Sequence, residues 1–339
     1  MRLLPLIVLT TALIWLPNTC TTVLAVQEND TTQTEAKPQE ETQTKKPKRE
    51  PIYDEEADAT HDIETALAKA KKENRRVLIQ WGANWCGWCY LLHDLMDKDA
   101  AIRRELMYEY DVVLVDIGQS DKNKDLIEKY KADIAKQGVP FLTILDADGN
   151  VVVNQETSSL ESKEEGKHEH VPEAVLEFLT KYQASAQNAE DVVAAGIAEA
   201  KSNDRIVFLH FGAPWCGWCH YLENWMAGPK VNELLSRVFV DVKVDTDRMD
   251  KGQDTLTKYC SEQSGIPWFV FLDGEGHSVA DSTGPGGNVG FPSTDEEIAH
   301  FVTMLESTKR FSEDEIQFLS DSLVENRKAR EAKRAAGNR

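Results

Sequence analysis

One pentapeptide, Trp-Cys-Gly-Trp-Cys, occurs at residues 85–89 and again at 215–219, and this repetition constrains the fold more than any other feature of the chain. The flanking order repeats with it. An amphipathic helical stretch (58–74; 191–202) comes first, followed by an apolar run (77–81; 206–211) and a Gly-Ala-x-Trp turn into the cysteines. A second apolar run (112–117; 238–244), a charged helical stretch (124–134; 254–262), a Gly-x-Pro tripeptide (138–140; 265–267) and a third apolar run (141–145; 268–272) complete each series. First cysteine and proline are 54 residues apart in one copy and 51 in the other. A whole ordered series in register indicates duplication. Strands alternating with helices at these lengths specify an α/β architecture with a partly parallel sheet. The nearly continuous apolar runs before each Cys pair are those of central strands covered on both faces.

The chain divides into five parts. Residues 1–25 carry Arg2, an apolar run over 3–16 and Val23-Leu24-Ala25, the order of a signal peptide cleaved after Ala25. That run is shorter than the roughly 20 residues of a membrane-spanning helix. A periplasmic or secreted protein with no stable membrane association is therefore expected, an uncleaved anchor or a lipid on Cys20 being the lesser alternatives. Residues 26–53, rich in Thr, Gln, Glu, Lys and Pro, read as a disordered linker. Domains follow at 54–184, with a polar insertion over 154–170, and at 187–308. In the tail, 309–339, Ser312 and Glu315 have capping-box spacing, and acidic residues precede basic ones as a helix dipole favours. The tail reads as a solvated helix.

With 58 acidic against 38 basic residues the formal charge is −20, which excludes nucleic acid as a partner, since phosphate neutralisation needs surplus Lys and Arg. Signal removal leaves Cys86, Cys89, Cys216, Cys219 and Cys260, and four of these five lie in close pairs. Cys216-Gly217-Trp218-Cys219-His220 fits a haem attachment pattern, but Tyr90 replaces the His in the first copy, so haem is not what the duplication preserves. The two pairs are too far apart in sequence for a compact zinc site, and His168-Glu169-His170 is too small a donor set for a metal. Gly284-Pro285-Gly286-Gly287 lacks the Lys and helix of a phosphate-binding loop. No cofactor and no metal are expected.

Disulfide exchange needs an accessible thiolate of low energy and a second thiol in reach. A helix N-terminus stabilises the anion, and two intervening residues put the second sulfur one turn on. Cys86 and Cys216 are read as attacking thiols, Cys89 and Cys219 as resolving ones. Cys260 reads as a buried thiol.

These residues resemble the thioredoxin family. The run from Ala213 to Cys219 is similar to its active-site segment, 83–89 is a close variant, and Gly138-Val139-Pro140 and Gly265-Ile266-Pro267 are similar to its cis-proline loop. The resemblance implies two tandem thioredoxin-like domains with a mixed sheet, cis Pro140 and Pro267 beside the Cys pairs, and backbone groups of Val139 and Ile266 open to an extended substrate. It makes Trp85, Trp88, Trp215 and Trp218 an apolar rim. It implies a protein thiol–disulfide oxidoreductase whose partners are protein thiols and disulfides and a further redox protein. Three departures stand out. Gly-Trp between the cysteines, without a His, favours the reductase or isomerase direction over strong oxidation. Where thioredoxins carry a buried Asp, this chain has Gln80 and His210. His210 is either a proton acceptor for Cys219 or a hydrogen-bonded core histidine; Gln80 cannot accept a proton. The long Cys-to-Pro intervals imply longer loops beside each site. A thioredoxin fold that binds proteins without turnover is the alternative.

Overall fold

Two strands without a polar face organise the molecule: β1 (Arg76–Gly82), buried at every position after Arg76, and β5 (Ile206–Gly212), buried throughout. Such strands must be covered on both sides, and each is. The structure is a computed structural model that describes residues 49–260 and 264–337. The expected signal peptide, Cys20, the linker up to residue 48 and the last residues of the helix expected over 254–262 lie outside the described residues.

In the first half α1 (Ala59–Glu73) precedes β1 and lays Ile63 and Ala70 on the sheet. It starts where Asp58 accepts the His61 amide and stops where Asn74 takes a left-handed φ of 51°. After β1 come α2 (Gly87–Lys98), α3 (Ala100–Glu109), β2 (Tyr110–Asp116), α4 (Lys124–Lys129), α5 (Ile134–Gln137), β3 (Phe141–Leu145), β4 (Val151–Glu156) and α6 (Pro172–Tyr182). The second half runs α7 (Ala189–Ser202), β5, α8 (Gly217–Met226), α9 (Pro229–Val238), β6 (Phe239–Asp245), α10 (Gly252–Tyr259), β7 (Trp268–Leu272), β8 (Ser278–Asp281), a small hairpin of β9 (Thr283–Gly284) and β10 (Gly287–Asn288), α11 (Asp295–Thr308) and α12 (Glu313–Gly337).

The sheets have orders β2-β1-β3-β4 and β6-β5-β7-β8. In each, the central strand pairs parallel with the strand that follows its helices and antiparallel with the strand after the proline. The registers correspond: Trp81 lies opposite Phe141, and Phe211 opposite Trp268. The α/β fold expected from the repeat is present in both halves.

Four details differ from the sequence reading. Helices α3 and α9 were not anticipated; α3 buries only Ile102, too little for a periodic signal, whereas α9 starts at Pro229 and buries Val231, Leu234, Leu235 and Val238 at helical spacing, a legible signal that the reading of 238–244 as the next element passed over. The single helix expected over 124–134 is broken into α4 and α5, with Lys131 left-handed at φ 55° between them. Residues 52–53, assigned to the linker, are folded in: Tyr53 is only 1% exposed. The tail is docked over its first half rather than solvated throughout. Ser312 and Glu315 form their reciprocal cap, but α12 then buries Leu319 and Leu323 among Phe301, Met304 and Leu305. The Trp225 indole donates to Ser322 at 2.9 Å, and Arg237 grips both Glu315 oxygens at 2.7 and 2.8 Å.

The two halves meet through charges. Arg248, after β6, reaches both Glu109 oxygens at 3.0 and 2.8 Å and the carbonyls of Glu73 and Asn74 at 2.9 Å. Those carbonyls close α1 and have no partner within it, so a guanidinium suits them.

Candidate active site

Each central strand ends at a glycine, and the chain turns at once into a helix. Cys86 is the N-cap of α2, and its Sγ accepts the Cys89 amide at 3.1 Å. Cys216 caps α8 in the same way, accepting from Cys219 at 3.1 Å. Both pairs are disulfides, with Cα–Cα distances of 5.3 Å. Once reduced, the same amide and the same positive helix end face the first sulfur, so they stabilise its anion. Cys86 keeps a 5% sliver of exposure while Cys89 is enclosed; Cys216 and Cys219 are both nearly enclosed.

The peptide bonds preceding Pro140 and Pro267 are cis. The carbonyl oxygens of Val139 and Ile266 lie 3.5 and 3.6 Å from the Cys86 and Cys216 sulfurs. Both prolines are buried, and Val139 and Ile266 are half-buried. The structure thus brings together, at each site, the two cysteines and the Gly-x-Pro backbone.

The tryptophans are placed unequally. Trp85 and Trp215 are each more than half exposed, with indole N–H groups donating to the Gly118 carbonyl at 2.7 Å and to Asp247 at 2.9 Å. Tyr108 of the first half donates to the same Asp247 oxygen at 2.8 Å. Trp88 is half-buried: the rings of His170 and His168 stand edge-on to it at 5.3 and 6.3 Å. Trp218 is open, with the Arg330 guanidinium of α12 at 5.2 Å from its ring and Tyr221 at 5.6 Å. The neighbouring grooves differ accordingly. Beside the first site, about 540 Å³ lies between Trp85, Ile117, Ile127, Ile134 and Val139. Beside the second, about 620 Å³ lies between Trp218, Tyr221, Arg327, Arg330, Lys333 and Arg334. One groove is apolar and the other basic.

Gln80 and His210 face the same way on equivalent strands but do different things. The buried Gln80 amide donates to the Tyr53 hydroxyl at 2.9 Å. His210 Nε2 lies 2.9 Å from Asp241 Oδ1, and Lys72, from α1 of the first half, meets Asp241 Oδ2 at 2.9 Å. Burial pushes the Asp241 carboxyl up, but the His210 ring and the Lys72 ammonium outweigh it and hold it well below the usual carboxylate range. Of the two roles open to His210, the held histidine is the geometry seen here. Sequence reasoning missed Tyr53, Asp241 and Lys72; only Ile52-Tyr53, an apolar dipeptide ending a polar stretch, carried a local signal.

His168 and His170 sit on Trp88, and no group of three or more His, Cys, Asp or Glu among the described residues is arranged to hold a metal ion. Cys260 is buried in the apolar layer beneath α7. No helix among the described residues is long and apolar enough to cross a membrane.

Residues 58–147 match a family model described as thioredoxin-like, and residues 176–328 match one named Thioredox_DsbH and described as a protein of unknown function, DUF255. The chain belongs to the thioredoxin-like family. Over 109 residues it is 32% identical to the thiol:disulfide interchange protein TxlA homolog of Synechocystis sp., covering 32% of this chain and 58% of that protein. Over 78 residues it is 33% identical to the human spermatogenesis-associated protein 20, covering 22% of this chain and 10% of that protein. The matched segments span about half of the first relative and a tenth of the second. Among solved structures it is similar to a disulphide isomerase from Xylella fastidiosa Temecula1, at 26% identity and a TM-score of 0.34, covering 38% of this chain and 95% of that one.

Proposed function

We propose that this chain is an exported thiol–disulfide oxidoreductase that exchanges disulfides with protein substrates through Cys86/Cys89 and Cys216/Cys219, working as a reductase or isomerase. The observation that carries this reading is the paired geometry: in each half the first sulfur sits on a helix N-terminus, accepts an amide at 3.1 Å, and has its bonded mate one turn behind. The related thiol:disulfide interchange protein supports the same chemistry, and the N-terminal segment supports export.

In the reduced enzyme Cys86 or Cys216 attacks one sulfur of a substrate disulfide. A mixed disulfide forms, and the other substrate sulfur leaves as a thiolate. Cys89 or Cys219 then attacks the first cysteine's sulfur, the enzyme disulfide closes, and the second substrate thiolate departs. Two electrons pass to the substrate, and the two cysteine protons end on its thiols. A dithiol partner protein restores the pair. Val139 and Ile266 offer backbone carbonyls to an extended substrate strand, and the exposed tryptophans offer apolar contact. The direction rests on Gly-Trp between the cysteines, which adds no charge to deepen the thiolate.

A coupled protein-disulfide reduction assay tests this. Cys86→Ser and Cys216→Ser should each retain part of the turnover, and the double variant should fall to the uncatalysed background. A wild type that binds unfolded protein but reduces none would instead make the chain a binding module.

A further inference from the structure

The first Cys pair has a neighbour that the second lacks. Asn84, in the turn that leads to Cys86, accepts the amides of Ile52 and Tyr53 at 3.0 Å and donates to the Tyr53 carbonyl at 2.9 Å. This clamp draws the segment preceding α1 over the end of β1 and buries the Tyr53 ring against Cys86 and Cys89. Pro214 occupies the corresponding position of the second copy, with no side-chain amide to make such a clamp. The point where a Cβ of Gly82 would lie is 2.3 Å from the Tyr53 hydroxyl oxygen and 2.7 Å from Cys89 Sγ. Hydroxyl and sulfur are therefore no more than about 5 Å apart, across a glycine that leaves the space between them open. At Gly212 the same point has, among the described residues, only Cys219 within 4 Å.

The hydroxyl accepts from Gln80 Nε2 at 2.9 Å, which leaves its own proton for another acceptor. We propose that in the reduced enzyme the Tyr53 hydroxyl donates a hydrogen bond to Cys89, stabilising the resolving thiolate at the first site, with Gln80 and Asn84 as positioning residues. This rests on the exchange reaction proposed above and gives the first site a device that needs no base at the Gln80 position. Burial pushes the Tyr53 phenol up, against the lowering effect of its bond from Gln80, so Tyr53 stays protonated and can only donate toward Cys89. The Cys89 proton passes to water. The Cys89 sulfur then bonds to Cys86 as the bond from Cys86 to the substrate sulfur breaks, and that sulfur leaves with the electron pair. The other titratable groups near this corner are Tyr90 on α2, Asp116 at the end of β2, which Lys122 meets at 3.0 Å, and Glu55, whose carboxylate accepts from the Asn84 amide at 3.0 Å.

The test uses the full chain with Cys216→Ser and Cys219→Ser, so that only the first site reports. Reduced protein reacts with an aromatic disulfide reagent in two steps: Cys86 releases one coloured thiolate, and Cys89 releases the second by closing the ring. Tyr53→Phe should slow the second release about tenfold at pH 7, the lower end of what a hydrogen bond to an ion is worth. It should move the pH midpoint of that step up by about one unit and leave the first release within about twofold. Because Tyr53→Phe leaves the Gln80 amide unpaired, Tyr53→Phe with Gln80→Leu serves as the packed control, and it should show the same midpoint shift. A second-step midpoint equal to that of the parent in both folded variants would overturn the proposal, and would mean that Tyr53 gives its proton to Gln80. Equal slowing of both steps would also overturn it, since that reports a disturbed helix start. Neither readout uses a protein substrate, so failure here is separable from failure of the protein-reduction assay.

Discussion

Ala at both Leu319 and Leu323 should cost the second half about 4–8 kcal/mol, enough to unfold it under mild conditions. Both side chains are fully buried in the layer formed by α8, α9 and α11 beneath α12. Each Leu→Ala change in such a place costs about 2–5 kcal/mol from lost transfer energy and the cavity left behind, and adjacent sites relax together, so the sum is somewhat less than additive. Leu and Ala are both good helix formers, so the loss reports packing rather than helix propensity. Urea unfolding followed by near-ultraviolet aromatic signal measures it, with Lys328→Ala, exposed on the same helix, as a control within about 0.5 kcal/mol. In the double variant Cys86 should keep its reactivity while Cys216 loses its protected geometry. A cost below about 1 kcal/mol would mean that α12 is a dispensable tail.

Acidification should weaken the first half through His170. Its ring is 3% exposed, neither nitrogen has a hydrogen-bond partner among the described residues, and burial pushes its pKa down to about 4. The unfolded chain binds a proton near pH 6.5 and the folded chain does not until about pH 4. Between those limits the unfolded state holds more protons, so stability falls as pH falls. The contribution is complete above about pH 6.5, declines through the window and is gone below about pH 4. A shift of this size corresponds to about 3 kcal/mol. His170→Phe removes the titration and should flatten the difference in unfolding free energy between pH 7 and pH 4.5, relative to the parent, by about 2–3 kcal/mol. An unchanged pH slope would mean that His170 is already solvated. Because the ring lies edge-on against Trp88, the same window should expose that tryptophan beside the first disulfide.

What the sequence made legible was whatever depends on neighbours in the chain. The Cys pairs, their place at a helix start, the Gly-x-Pro loops and the succession of strands and helices along the chain all follow from local spacing, and duplication doubled each signal. Contacts that close over long loops were not legible. Tyr53 reaches Gln80 across 27 residues from a stretch whose composition argues for a tether. Lys72 reaches Asp241 from the other half, and nothing in either segment announces the pairing. The burial of α12 was partly readable: Ile316, Leu319 and Leu323 recur at helical spacing, but the charged residues around them dominate the composition. The polarity of the Trp218 rim depended on that helix being docked.

The Lys72–Asp241–His210 chain bears on any attempt to dissect the molecule. A fragment starting at α7 would retain Asp241 and His210 but lose the ammonium that satisfies the second carboxylate oxygen, together with the Tyr108 hydroxyl that helps hold Asp247 against Trp215. Half-molecules would therefore describe a different second centre from the one in the intact polypeptide, and inactivating one pair by point substitution is the cleaner way to assign properties to the other.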